Sequence, residues 1–247
     1  MMVNRQKKMS ESFNAILSES LLDLFYARRE SYRFLSLLFM KAPELEFLRF
    51  LGDSADDLEK IFSMREKCKK PLQSLIDESR NITFSMIEKK LETLEEDFLN
   101  LFIGPKGPYA PPWESVYISD DKLLFDESTF QVRNEYSKFG LEYSAIHKEP
   151  DDHIAVELQF MAHLADIAIS QIPSGEVVTL KETISSQWSF IENHLLTWVF
   201  SFCDRMYKAS SQEYFKNVSR LLREFIKTDA QDMEKLFHQI SLGTQEK

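Results

Sequence analysis

Two short stretches carry the residue types that could do chemistry. The first is Glu149-Pro150-Asp151-Asp152-His153, followed by Glu157 and Phe160-Met161. Its carboxylates and imidazole admit a metal or acid–base centre built on Asp152, His153 and Glu157, or an acidic rim beside a binding groove. A purely structural reading stands beside these. Asp151 and Asp152 at a helix N-terminus gain a few tenths to about 1 kcal/mol from the helix dipole with no ligand present, and a lone histidine next to acids commonly caps a helix.

The second stretch runs from Glu95 to Tyr117. Phe98, Leu101 and Phe102 stand at i, i+3 and i+4, one face of a helix. Gly104 and Pro105 stop that helix, because glycine accepts the left-handed conformation past a helix end and proline cannot continue the ladder. Pro105, Pro108, Pro111 and Pro112 then hold the chain extended, so that Tyr109, Trp113 and Tyr117 sit on a backbone with little ordering entropy left to lose. Trp113 reads either as an anchor for a bound chain or as a lid over the core.

The remaining sequence must position these stretches, and it reads as helices throughout. Leu21, Leu24, Phe25, Tyr32, Leu35 and Phe39 recur at three- and four-residue steps, and Pro43 ends that helix. A short helix over 43–51 ends at Gly52, and Ser54 with Asp57 predicts a capped helix after it. Further helices are expected over 71–80, 83–103 and 129–139, the last with a Ser128/Gln131 capping box and Gly140 as its stop. Pro150-Asp151-Asp152 opens another that runs to about Ser170, before Pro173 and Gly175 break it. Along it His153, Glu157, Phe160 and Leu164 form one stripe, and Ile154, Leu158, Met161 and Ala165 the core-facing one. Helices near 176–194, 195–207, 211–227 and 229–241 complete the chain, with Trp188 and Trp198 as expected core residues. This gives an all-α class, a single compact domain of about ten helices over 11–241, between a flexible tail at 1–10 and a short tail at 242–247.

Composition narrows the function. With 247 residues and 43% apolar side chains a substantial core is available. A net charge of −10, from 30 basic and 40 acidic residues, opposes nucleic-acid binding, which needs clustered cations. Cys68 and Cys203 have neither metal spacing nor a disulfide framework, which suits a reducing cytoplasm. Arg28-Arg29 before Phe34–Met40 faintly resembles an export leader, but the apolar run is seven residues, holds Ser36 and lacks a small-residue cleavage site. No segment approaches the roughly 18 apolar residues of a membrane span, so no stable membrane insertion is expected. Nucleophile elbows, His-Glu-x-x-His, P-loops and Glu-x-x-His pairs are absent, so the residues call for no cofactor and no catalysis.

Taken together, Gly-Pro with Pro-Pro-Trp-Glu-Ser-Val-Tyr, then Glu-Pro-Asp-Asp-His with Glu-Leu-Gln-Phe-Met, and finally His194-Leu195-Leu196-Thr197-Trp198, resemble the TorD/DmsD family of redox-enzyme maturation chaperones. The early helix at 27–39 also fits, so the similarity covers about residues 20–205. The resemblance implies an all-α fold and a cytoplasmic chaperone that binds the twin-arginine signal peptide and apo-subunit of a molybdopterin oxidoreductase, assists cofactor insertion and delays export. By matching motif, the family's peptide-binding positions fall on Phe98, Leu101, Phe102 and Trp113, and on Pro150, Asp152 and His153. Glu114, Tyr117 and Glu157 join them here on physical grounds, since a cationic leader with an apolar stretch needs carboxylates beside an apolar groove. Lys106 and Glu114 depart from the DmsD branch, so the client need not be a dimethyl sulfoxide reductase. The alternatives are a metal-dependent helical enzyme using Asp152, His153 and Glu157, or a structural helical adaptor. The connection at 171–175 leaves open either a monomer or a helix-exchanged dimer.

Overall fold

The computed structural model describes residues 2–84, 87–104, 107–118, 127–141, 150–175 and 177–242, with side chains for 18–83, 87–104, 107–118, 129–141, 150–175 and 177–240. The expected Glu149, Pro105, Lys106 and most of the C-terminal tail lie outside the described residues. The chain is all-α: α1 (Met2–Met40), α2 (Leu45–Asp53), α3 (Ala55–Ile61), α4 (Glu66–Phe84), α5 (Ile87–Phe98), α6 (Ser115–Ile118), α7 (Glu127–Ser137), α8 (Ile154–Ser174), α9 (Val177–Phe190), α10 (Leu196–Ala209) and α11 (Glu213–Leu242). Among the described residues, wide π-helical turns extend this series at Leu99–Ile103 after α5 and at Ile191–Leu195 between α9 and α10. Among the described residues no helix is long and apolar enough to cross a membrane.

α8 is the hub. It packs along α1 and against α9, while α11 packs on α4, α10 and α9. Because neighbours close on both its sides, the two stripes expected to differ are both interior: His153, Glu157, Phe160 and Leu164 are as buried as Ile154, Leu158, Met161 and Ala165. A second consequence concerns Phe98, Leu101 and Phe102. All three are buried, Phe98 and Phe102 packing edge-on to each other and around Phe215, and Phe102 also meeting Phe39 and Phe202.

Several boundaries differ from the sequence expectation, each for a physical reason. α4 starts at Glu66, five residues ahead of Pro71, because burial of Cys68 and Leu72 in the core outweighs the backbone bond that Pro71 cannot donate. Ser54 makes no side-chain cap; it closes α2 and opens α3 at once, its carbonyl accepting from Asp57 and Leu58 N–H. α7 begins at Glu127, which puts Ser128 inside the helix rather than at its cap. Pro173 lies inside α8, which continues to Ser174 and ends on Gly175 in the left-handed conformation (φ 72°). The expected break at 194–195 is a π turn in a continuous run, and the one near 228 is absent. There Asp229 is fully buried, accepting from Arg28 Nε and Nη2 (2.8 and 2.9 Å), Tyr32 Oη (2.7 Å) and Arg65 Nη2 (2.5 Å), so the helix is clamped through that point. Arg28, half of the leader-like pair, is therefore a core residue. α1 also takes in the segment expected as a tail.

Candidate functional site

The two motifs meet through one antiparallel bridge, Trp113 to His153. Glu114 N–H donates to Asp152 O at 3.0 Å and Ile154 N–H to Pro112 O at 2.8 Å, which ties the proline-rich loop to the first turn of α8. Prolines at 111 and 112 suit this edge, since neither supplies an N–H that the bridge needs. The loop is anchored at its other end as well. Tyr109 N–H donates to Asn100 O and Ala110 N–H to Leu101 O, both carbonyls left without helical partners where the series ends at Ile103. Gly104 makes the reversal possible: at φ 50° it needs glycine, and a Cβ there would lie 2.6 Å from Gly107 O.

Side chains reinforce the joint. Asp152 Oδ2 accepts Ser115 N–H at 2.8 Å, capping α6, and His153 Nδ1 accepts Ala155 N–H at 3.1 Å, capping α8. Burial lowers the His153 pKa to about 4, so the ring is neutral, as an acceptor nitrogen requires. The Trp113 and His153 rings meet edge to face with centroids 6.1 Å apart. Asp151 is held separately, by Arg133 from α7, whose Nε lies 2.8 Å from Oδ2.

Beneath the loop lies a buried acidic cluster. Glu114, Asp152 and Glu157 are all fully inaccessible, so the expected acidic rim is an acidic interior. His194, carried by the second π turn, approaches Glu114 with Nδ1 3.0 Å from Oε2. Trp198 Nε1 donates to Glu157 Oε2 at 3.3 Å. Burial pushes the Glu157 carboxyl well above the ordinary carboxylate range, and the neighbouring Glu114 and Asp152 charges push the same way, against the Trp198 bond. Glu114 is raised too, by burial first and by Asp152, with His194 and Thr197 partly offsetting both. Among the described residues no group of three His, Cys, Asp or Glu is arranged to hold a metal. Asp152 Oδ2 and His153 Nδ1 are already committed to backbone N–H groups.

Of the expected site residues, Trp113 and Tyr117 alone remain partly accessible. Tyr117 stacks at a tilt on Trp198 (5.4 Å) and lies under the Arg205 guanidinium (4.7 Å). Phe98, Leu101, Phe102, Glu114, Pro150, Asp152, His153 and Glu157 are the buried framework beneath them. Residue-by-residue reading missed His194 as the partner of Glu114; its place in the His-Leu-Leu-Thr-Trp motif was the available signal. It also missed Asp97, which accepts from Ser210 Oγ (2.6 Å) and Ser211 N–H (3.2 Å) to hold the start of α11.

Comparison with known proteins supplies what the geometry alone does not, the family of this helical fold. Residues 63–204, more than half of the chain, match the family model described as nitrate reductase delta subunit. A chaperone protein TorD from Vibrio cholerae is 30% identical over 213 residues, covering 86% of this chain and 94% of that one. A Haemophilus influenzae relative named as the Tat proofreading chaperone DmsD is 27% identical over 138 residues, 56% of this chain and 61% of its own. A solved structure described as a redox enzyme maturation protein from Archaeoglobus fulgidus aligns at 20% identity with a TM-score of 0.49, covering 81% of this chain and 93% of that chain. The chain belongs to the TorD/DmsD family of redox-enzyme maturation chaperones.

Proposed function

We propose that this chaperone acts in the cytoplasm on a molybdopterin oxidoreductase, binding the twin-arginine signal peptide and the apo-subunit, assisting cofactor insertion and delaying export. The observation that carries the reading is the Trp113–His153 bridge, which brings the two family motifs into one surface element. On it Trp113 and Tyr117 remain partly accessible, while Asp152, His153 and Glu114 fix the loop, and Pro150, Glu157, Phe98, Leu101 and Phe102 are buried around them. The chain's formal charge of −10 favours a cationic leader over an anionic one. A micromolar complex needs about −8 kcal/mol, within reach of two or three aromatic contacts and an ion pair after ordering costs. Weak, reversible binding suits a chaperone that must release its client.

Co-expression with a molybdoenzyme catalytic subunit tests this reading. The subunit should copurify with the chaperone when its leader is intact and cofactor synthesis is blocked, and dissociate once the cofactor is inserted. Equal recovery of leaderless and mature, cofactor-loaded subunit would instead support a general helical adaptor.

A further inference from the structure

The outer face of α5 carries a polarity that the fold itself does not use. Glu88, Glu92, Glu95 and Glu96 are exposed along one side of this helix. Among the described residues none of them forms a salt bridge, and Lys89 flanks the row at its edge. Glu88, Glu92 and Glu96 stand at successive i, i+4 positions, where like charges weaken a helix. The same face then turns apolar: Leu99 is 43% exposed and Ile103 59%, and Tyr109, whose N–H is bonded to Asn100 O, is 64% exposed. Their neighbours Phe98, Leu101 and Phe102 are locked in the aromatic core, so the apolar surface is backed by a rigid wall.

We infer that this face is the docking track for the signal peptide, with the peptide lying parallel to α5. Its arginine-bearing n-region sits over Glu88, Glu92, Glu95 and Glu96, and its apolar stretch over Leu99, Ile103 and Tyr109, leading toward Trp113. This rests on the proposed function and gives it a location and a direction. Charge complementarity selects the occupant: an anionic row followed by exposed aliphatic and aromatic groups fits a chain that is basic first and apolar after. Length agrees. The 15 steps from Glu88 to Ile103 rise roughly 22 Å, the length of about four helical turns of bound peptide.

The test uses the full chain and a synthetic peptide with two adjacent arginines followed by a twelve-residue leucine–alanine stretch. In titration calorimetry, Leu99→Asp with Ile103→Asp should weaken binding at least tenfold. Glu92→Lys, Glu95→Lys and Glu96→Lys together should weaken it comparably and reverse its salt dependence. All five positions are exposed, and unchanged melting curves will show that folding is intact. A photo-crosslinker at Glu92 should capture the arginine end, and one at Ile103 the apolar end; the opposite pattern overturns the stated direction. Parent-like affinity in both sets of variants overturns the track while leaving the proposed function standing. A parent protein that ignores the peptide overturns both.

Discussion

His194 Nδ1 lies 3.0 Å from Glu114 Oε2, joining the proline-rich loop to the π turn between α9 and α10 across 80 residues of sequence. Both side chains are almost wholly buried. Removing one partner leaves the other without its bond in a low-dielectric site, which costs more than the bond itself contributes. His194→Ala should therefore lower stability by about 3 kcal/mol, whereas Glu114→Gln with His194→Gln, which removes the charge and keeps a polar pair, should cost about 1 kcal/mol. Urea denaturation of both variants measures the difference.

Glu157 predicts a pH dependence of definite sign. Its folded-state pKa is raised well above the ordinary 4.5, so between those values the folded protein holds a proton that the unfolded chain has released. Its contribution is fully present below about pH 4.5 and is lost as pH rises. Glu157→Gln keeps the neutral shape and has no proton to lose. Relative to the parent, its melting temperature should rise steadily as buffers move from pH 5 to pH 8, a trend that thermal melts follow directly. A parallel pair of curves would mean that Glu157 titrates normally.

Asp229 has the opposite sign. Burial alone would raise its pKa, but Arg28 and Arg65, with the Tyr32 hydroxyl, outweigh that and hold it at about 2. This stabilisation is present above the ordinary value of 3.8 and is lost as pH falls through that range toward 2. Asp229→Asn would leave two buried guanidinium groups facing no charge at that position, at a cost of roughly 3–5 kcal/mol. Denaturant titration at pH 7 should show this loss, and at pH 3 a smaller one.

Asp152 is expected to act on the loop rather than on a peptide arginine directly. Its Oδ2 accepts the Ser115 N–H and its side chain is wholly inaccessible. Asp152→Asn should cost about 1–2 kcal/mol through the weakened cap. The salt dependence of peptide binding should stay the same. A flattened salt dependence with unchanged stability would place Asp152 in contact with the leader after all.

Trp113 and Trp198 separate surface from core. Trp113 is partly exposed and touches His153 edge to face, while Trp198 is fully buried against Tyr117 and Phe202. Trp198→Ala should lose about 3–5 kcal/mol of folding stability, as large-to-small core changes do. Trp113→Ala should lose about 1 kcal/mol of stability, and about 2 kcal/mol or more of peptide affinity. Trp188, expected in the core, is only partly buried and makes a poor control. Thermal melts and calorimetric titration together distinguish the two roles.

Local pattern determined most of the helices, because a 3.6-residue repeat, a proline or a glycine acts through its immediate neighbours. That is why Gly104 ends the α5 series, Gly175 ends α8, and residues 107–112 of the proline-rich segment carry no helix. The family motifs were also legible in the sequence, as was their mutual relevance. What the sequence could not decide was which polar side chains face water. Asp152, Glu114 and Glu157 read as a rim because acids usually sit at the surface, and only the enclosure of α8 by α1, α9 and the loop turns them inward. Arg28 and Asp229, 201 residues apart, look like ordinary surface charges until α1 and α11 bring them together. Tertiary packing decided these placements, since a buried charge depends on partners that no local spacing reveals.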